Sequence, residues 1–363
     1  MNKTQKAILI AVIAIIVGFI LLGAALFIAG SPANWDLKWF HFNDSDEEQI
    51  TLEADTEDLT VQNGEQLQLT EFSAIELRNL ACDIEISPTT EAQFSLSFQG
   101  LELEPAQKGD YLLIYKGGDR DEVNLELKDG VLRLSADKLP DVKSFTNLRS
   151  LIREQHRKLT LLVPEDWQGK VEASSLVGDL SLWNCQVSEL DISMPAGDVD
   201  VSNVKCDGQA RLELLAGDLD VHDSAFGAMD IDLMLGDLDL YGLACADLNV
   251  MVKAGDVDLT DVACADLELT LNAGDLDLTD LACGGLKVDM DLGDCSFERL
   301  APQSADISLR AGEVRGSLKG SAGDYATDCQ VRLGECSLSA AGSGSRPVRI
   351  RVDAGSIDLD YEK

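Results

Sequence analysis

Histidine is nearly missing from these 363 residues: His41, His156 and His222 are the only three. That scarcity, with no Cys-x-x-Cys pair among nine cysteines, argues against a zinc site. Aromatic residues make up only 5% of the chain, so any core must be mostly aliphatic. Basic side chains number 29 against 65 acidic ones, a formal net charge of −36. Phosphates repel such a surface, which excludes nucleic acid as a partner and disfavours anionic lipid. There is no Gly-x-Ser-x-Gly, no His-Glu-x-x-His and no phosphate-binding loop. Between residues 171 and 300 no segment carries a helical apolar period with caps.

What is present begins with residues 7–29, AILIAVIAIIVGFILLGAALFIA, which hold no charge and no proline. About 20 such residues cross a bilayer as a helix. Lys3 and Lys6 precede the run, and Asp44, Asp46, Glu47 and Glu48 follow it. The positive-inside rule puts the N-terminus in the cytoplasm and everything after residue 30 outside. Trp35, Trp39, Phe40 and Phe42 suit the outer interface belt. Ala29-Gly30-Ser31 resembles a signal-peptide cleavage site, but the run is longer than a usual signal core.

The dominant feature is a repeat, seen in AGDVDLTDVACADLELTLNAGDLDLTDLAC from Ala254 to Cys283. Its anchor glycines are Gly178, Gly197, Gly217, Gly236, Gly255, Gly274, Gly293, Gly312, Gly334 and Gly355, spaced 19–22 residues apart. With Gly255 as position zero, Val257 and Leu259 alternate with Asp256 and Asp258. Leu267, Leu269 and Leu271 alternate with Asp266, Glu268 and Thr270. Each alternation reads as a half-buried strand. Turns are expected at 261–265 and at Asn272-Ala273-Gly274, where glycine supplies a positive φ. Two strands without a helix cannot bury their apolar faces alone. Stacking coils about 4.8 Å apart gives one continuous core. The expected fold is therefore all-β: a parallel β-solenoid, or β-helix, of about ten 19–22-residue coils behind an N-terminal transmembrane helix.

Cys206, Cys245, Cys264 and Cys283 share position +9. Cys185, Cys295, Cys329 and Cys336 also fall where other coils place apolar residues, so all eight are expected to face inward as small hydrophobes. A disulfide ladder is also within reach of stacked Cα atoms. Position +1 carries Asp179, Asp198, Asp218, Asp237, Asp256, Asp275 and Asp294, and position +3 carries Asp200, Asp220, Asp239, Asp258 and Asp277. Stacking makes these two outward columns. Residues 171–300 hold 28 acidic against 5 basic residues, whereas residues 301–363 hold 9 against 8. The plain reading is solubility, protection against edge aggregation, and hydrogen bonding of Asp at +1 to turn amides. The sharper reading is a divalent cation such as calcium held between rungs, on Asp237, Asp239, Asp256, Asp258, Asp275 and Asp277. No other cofactor is indicated.

Four regions follow: 1–30, a cytoplasmic stub and anchor; 31–48, a juxtamembrane linker; 49–170, an irregular β cap; and 171–363, the solenoid. Within the cap, Ala81-Cys82-Asp83-Ile84-Glu85-Ile86 echoes the Gly-Asp rung with Cys82 in the glycine place. Residues 141–158 read as a short helix or loop, and Asp358, Asp360, Glu362 and Lys363 place charge on the last edge.

The Ile75-Glu76-Leu77 strand, the Ala81–Ile86 rung, Asp-Gly-Val-Leu-Arg-Leu at 129–134, Leu-Thr-Leu-Leu-Val-Pro at 159–164 and the Gly-Asp rungs together resemble the bacterial putative-adhesin family. The resemblance spans roughly residues 70–363 and implies a β-strand-repeat domain displayed on a surface for binding, with no catalytic residues to carry over. The expected protein is a single-pass cell-membrane protein, attached to the membrane by residues 7–29. Its extracytoplasmic module would be structural or bind a cell-surface protein or polysaccharide, without catalysis. The alternative is a carbohydrate-active enzyme, a polysaccharide lyase or hydrolase, since such enzymes also use parallel β-helices.

Overall fold

Alternating aliphatic and polar residues at a fixed period do stack as coils. The computed structural model describes residues 59–62, 66–69, 71–99, 101–105, 111–115, 122–136, 157–174, 176–338 and 342–362. Residues 7–29, the 31–48 stretch and residues 141–156 lie outside the described residues. Those described fall in one compact unit, Leu52–Pro140 with Gln155–Lys363.

Each coil has a short and a long strand, and neighbouring coils pair in parallel register. Val257–Thr260 pairs with Leu238–Tyr241 before it and Leu276–Thr279 after it. Ala263–Ala273 pairs with Ala244–Ala254 and Ala282–Leu292. The result is a parallel β-solenoid of ten stacked glycine anchors, with no helix among the described residues. Val257, Leu259, Val262, Leu267, Leu269 and Leu271 of one coil are all buried. Each such side chain contributes about 1.5–3 kcal/mol relative to exposure.

The expected turn at 261–265 is shorter than the sequence indicates. The long strand begins at Ala263, so Cys264 lies within it. Asp261 alone takes the left-handed conformation, at φ 55°. Asn184, Asn203, Asp223, Gly242, Asp280 and Arg299 repeat that conformation at the same place in other coils. Asn, Asp and Gly tolerate it. Arg299 is held there by two hydrogen bonds to Asp280, at 2.7 and 2.6 Å.

Both ends depart from simple sequential stacking. Ala74–Arg78 sits between Lys170–Ser174 and Val131–Ala136. Asp83–Thr89 sits between Leu180–Trp183 and Lys158–Pro164. The stack thus continues past residue 171 into the 74–89 rung that echoes the repeat. Beyond it the pairing becomes antiparallel, through Glu122–Lys128, Tyr111–Tyr115 and Leu101–Pro105 on one wall. Phe94–Gln99, Gln66–Leu69 and Leu59–Gln62 continue the other wall. Trp167 packs on Phe72 here and donates its indole N–H to the Phe72 carbonyl at 2.7 Å.

At the other end, Arg346–Glu362 pairs with Cys295–Lys319 on one side and Tyr325–Leu338 on the other. The last stretch of chain is therefore the penultimate rung. Asp358 does not guard the final edge as expected, because Ser337 of Tyr325–Leu338 pairs beside it; that pairing ends at Leu359, before Asp360. The buried Tyr325 hydroxyl donates to the Lys319 carbonyl at 2.7 Å and ties this rung down.

The cysteines divide by rung. All nine are free; Cys82, Cys185, Cys206, Cys283 and Cys295 are buried. Burial pushes the Cys82 and Cys295 thiols up to about 12. The expectation that all repeat cysteines face fully inward fails at four. Cys245 and Cys264 are half-buried near the bend of the long strand, Cys329 is half-buried and Cys336 is exposed. The last two lie on Tyr325–Leu338, which among the described residues is paired on one side only, with Arg346–Glu362.

One corner dictates the repeat. A Cβ on Gly255 (φ 148°) would sit 1.7 Å from the Gly236 carbonyl oxygen, and Gly236 stands in the same relation to Gly217. Replacing Gly255 by Ala is expected to destabilise the fold by on the order of 3–5 kcal/mol in urea unfolding, through backbone clash and unfavourable φ. Gly285→Ala meets no backbone among its nearest atoms, only the Asp266 carboxylate and, at 3.9 Å, the Ser304 hydroxyl, and should cost about 1 kcal/mol or less. Equal losses would show that the corner is not special.

Candidate functional site

The position +1 aspartates follow the anchor glycines round this corner. The backbone N–H of Asp256 donates to Asp237 Oδ1 at 2.8 Å, and that of Asp275 donates to Asp256 Oδ1 at 2.8 Å. The ladder starts at Asp83, which accepts from Asp179 at 3.1 Å, and ends at Asp294, which accepts from Glu313 at 2.8 Å. Each carboxylate thus bonds the next rung's amide, where the sequence suggested an amide of its own turn. The stack supplies a donor one coil on that no local turn offers.

The position +3 aspartates form the neighbouring column. Asp200, Asp220, Asp239, Asp258 and Asp277 are in-register partners on successive short strands. Partial burial, and then the charges of Asp239, Asp277, Asp256 and Asp237, hold the Asp258 carboxyl above its ordinary 3.8. Burial, Asp239 and Asp200 raise Asp220, with His222 opposing them. Asp237, Asp239, Asp256, Asp258, Asp275 and Asp277 are thus brought together as two columns. Among the described residues, no three His, Cys, Asp or Glu side chains converge as a metal-binding group.

The family model of the Toastrack DUF4097 domain matches residues 72–257 and again 235–363. The chain belongs to the Toastrack DUF4097 family. No curated protein matches it. Among solved structures, a putative adhesin from Bacteroides fragilis is similar at 14% identity, over 82% of this chain and 95% of its own, with a TM-score of 0.34. A putative adhesin from Parabacteroides merdae shares 11% identity over 84% and 97%, with a TM-score of 0.28. A putative cell adhesion protein from Clostridium sporogenes shares 11% over the same fractions, with a TM-score of 0.19.

This Toastrack chain also carries a groove that its repeat pattern did not announce. The groove, of about 750 Å³, crosses the outer face of the long-strand wall toward the C-terminal end. Asp247, Asp266, Glu268, Asp306 and Asp328 line it, with Lys287 and Arg349. Asp247, Asp266 and Gly285 are successive register partners. Where the column reaches Gly285 the side chain is missing, and the Gly285 N–H donates to Asp266 Oδ1 at 2.9 Å. Lys287 pairs with Glu268, and Arg349 lies 3.6 Å from Asp306 and 3.7 Å from Asp328. The sequence signal was there: Gly284-Gly285 replaces the Ala-Asp of the two preceding coils, and Lys287 replaces Glu268. Chemically the groove offers carboxylate acceptors with two cations inside a net negative field. That suits a cationic or polyhydroxylated ligand better than an anionic one.

The shifted carboxyls set the response to acid. Asp191, Asp220, Asp232 and Asp258 are raised, chiefly by burial. Between 3.8 and their folded values they bind more protons folded than unfolded, so stability grows as pH falls through that window. Asp280, held low by its hydrogen bond from Arg299, and Asp324, held low by the Ser321 N–H and hydroxyl, act oppositely. Their contribution is lost as pH falls through their lowered values. Calorimetric melts should show the Tm rising from neutral to mildly acidic pH and then falling. Asp258→Asn should raise the Tm at neutral pH and flatten the rise. A Tm that only falls on acidification would refute this balance.

Proposed function

We propose that this protein is a membrane-anchored, extracytoplasmic Toastrack solenoid that acts as a surface binding or structural module without catalysis. The observation that carries it is the acidic groove on a wall of register-paired parallel strands, where ligand contacts cost little ordering entropy. The uncharged 7–29 segment and the Lys3 and Lys6 charges before it support the anchor and the outward orientation. The partner class is a cell-surface protein or polysaccharide presenting cationic or hydroxyl groups. Nucleic acid is repelled by the net charge of −36.

Two measurements test this. Protease added to intact cells should remove the solenoid, and cleavage only after lysis would overturn the outward topology. A fluorescent oligolysine peptide should bind the full-length chain in a salt-sensitive way, and Asp266→Asn with Asp306→Asn should weaken binding about 5–30-fold if each lost charge contact is worth about 0.5–1 kcal/mol. Binding unaffected by the double variant would remove the groove from the site.

The Gly-Asp columns carry a second element of the proposal, divalent cations such as calcium bridging Asp237, Asp239, Asp256, Asp258, Asp275 and Asp277 in pairs. Stacked like charges one rung apart repel by about 1 kcal/mol in water and more at a low-dielectric surface. Bridging predicts that millimolar CaCl₂ raises the Tm beyond NaCl at matched ionic strength, and that chelator reverses the gain. Equal effects of the two salts would leave the columns as screened, solubilising charge.

A further inference from the structure

We propose that the terminal rung, Tyr325–Leu338, is a self-complementary docking edge that pairs antiparallel with the same strand of a second copy. Among the described residues this strand has one register partner, Arg346–Glu362; at its start the Gly344 N–H donates to the Tyr325 carbonyl at 2.7 Å and the Gly342 N–H to the Thr327 hydroxyl at 3.0 Å, so the open row of backbone N–H and C=O groups runs from Asp328 onward. An open strand edge is a template for another strand, and proteins usually blunt it with proline, lysine or a bulge. This strand has no proline and no lysine, and its register with Arg346–Glu362 runs without a shift along the wall. The end of the aliphatic core is also uncovered there. Cys329, Val331 and Leu338 pack against the core but remain partly exposed, and Leu333 is 64% exposed.

The sequence of the edge selects the occupant. A two-fold axis through Gln330 sets Asp328 opposite Arg332 of the second copy, and Arg332 opposite its Asp328. Cys329 then faces Val331 twice, and Gln330 faces itself. Asp328, Gln330 and Arg332 are exposed, while Cys329 and Val331 lie toward the core. Outward residues therefore meet outward residues, as an antiparallel pair requires. Both the charge pairs and the apolar pairs match under one register, which an unrelated strand would not reproduce. The body of the solenoid would repel a copy of itself, with 28 acidic against 5 basic residues in 171–300, but residues 301–363 hold 9 against 8. The strong acidic field ends where the edge begins. A two-fold contact here is isologous and closes as a dimer.

Cysteine cross-linking of the full-length chain in membranes tests this, in a Cys336→Ser background. Gln330→Cys should give a covalent dimer with diamide, because opposed Cα atoms in such a pair lie about 4.5–5.5 Å apart. Arg332→Cys should not, since the two copies of residue 332 would be about 14 Å apart. Adding Asp328→Arg to Gln330→Cys should cut dimer yield at least 10-fold, and adding Arg332→Asp as well should restore it, with thermal melts confirming that each variant folds. Absence of a Gln330→Cys dimer, equal cross-linking at 330 and 332, a charge reversal without effect, or cross-linking to a different protein would each overturn the proposal.

Discussion

The close approach of one glycine to the next at a single corner governs this molecule. Where Gly255 passes Gly236, no atom larger than hydrogen fits between α-carbon and carbonyl. That contact fixes the coil-to-coil register, and with it every other column. Once the glycines superpose, the aliphatic residues fall into one continuous core, the aspartates fall into ladders, and the left-handed corner residues from Asn184 to Arg299 fall into line. The charge repulsion of the columns is tolerated because each position +1 carboxylate between Asp83 and Asp294 accepts the amide of the next rung.

Much of this was legible in the sequence because a period is a direct statement about stacking. The ten glycines, the alternation of Val257 and Leu259 with acids, and the early rung at Ala81–Ile86 all report local geometry repeated. What the sequence did not show is whatever depends on which coil lies next to which. Gly334 precedes Gly355 in the chain, yet a Cβ on Gly355 would meet Gly312 and one on Gly334 would meet Gly355. Periodicity carries no information on that exchange, so the exposed Cys336 and the misplaced acidic edge follow from it together. The groove was missed for a related reason: Gly285 and Lys287 matter through the side chains they stack on, Asp266 and Glu268.

The site and the fold share one logic. A wall of paired strands cannot move its side chains far, so what it offers a partner is a fixed pattern of charge at about 4.8 Å spacing. Acidic columns on the short-strand side and a mixed-charge groove on the long-strand side present two distinct patterns from one repeat. Departures from the repeat, Gly284-Gly285 and Lys287, are where the second pattern arises.

The exchanged order at the end of the stack bears on how the chain can be made. Translation delivers Tyr325–Leu338 before Arg346–Glu362, but the later segment lies between the earlier one and Cys295–Lys319. Until Arg346–Glu362 has been made, Tyr325–Leu338 lacks the strand it pairs with. Growth of the stack by simple addition must therefore pause at residue 319 until the segment from 346 inserts. A nascent chain therefore carries a strand-accepting edge at Cys295–Lys319 across that interval, and the two rungs beyond it close together.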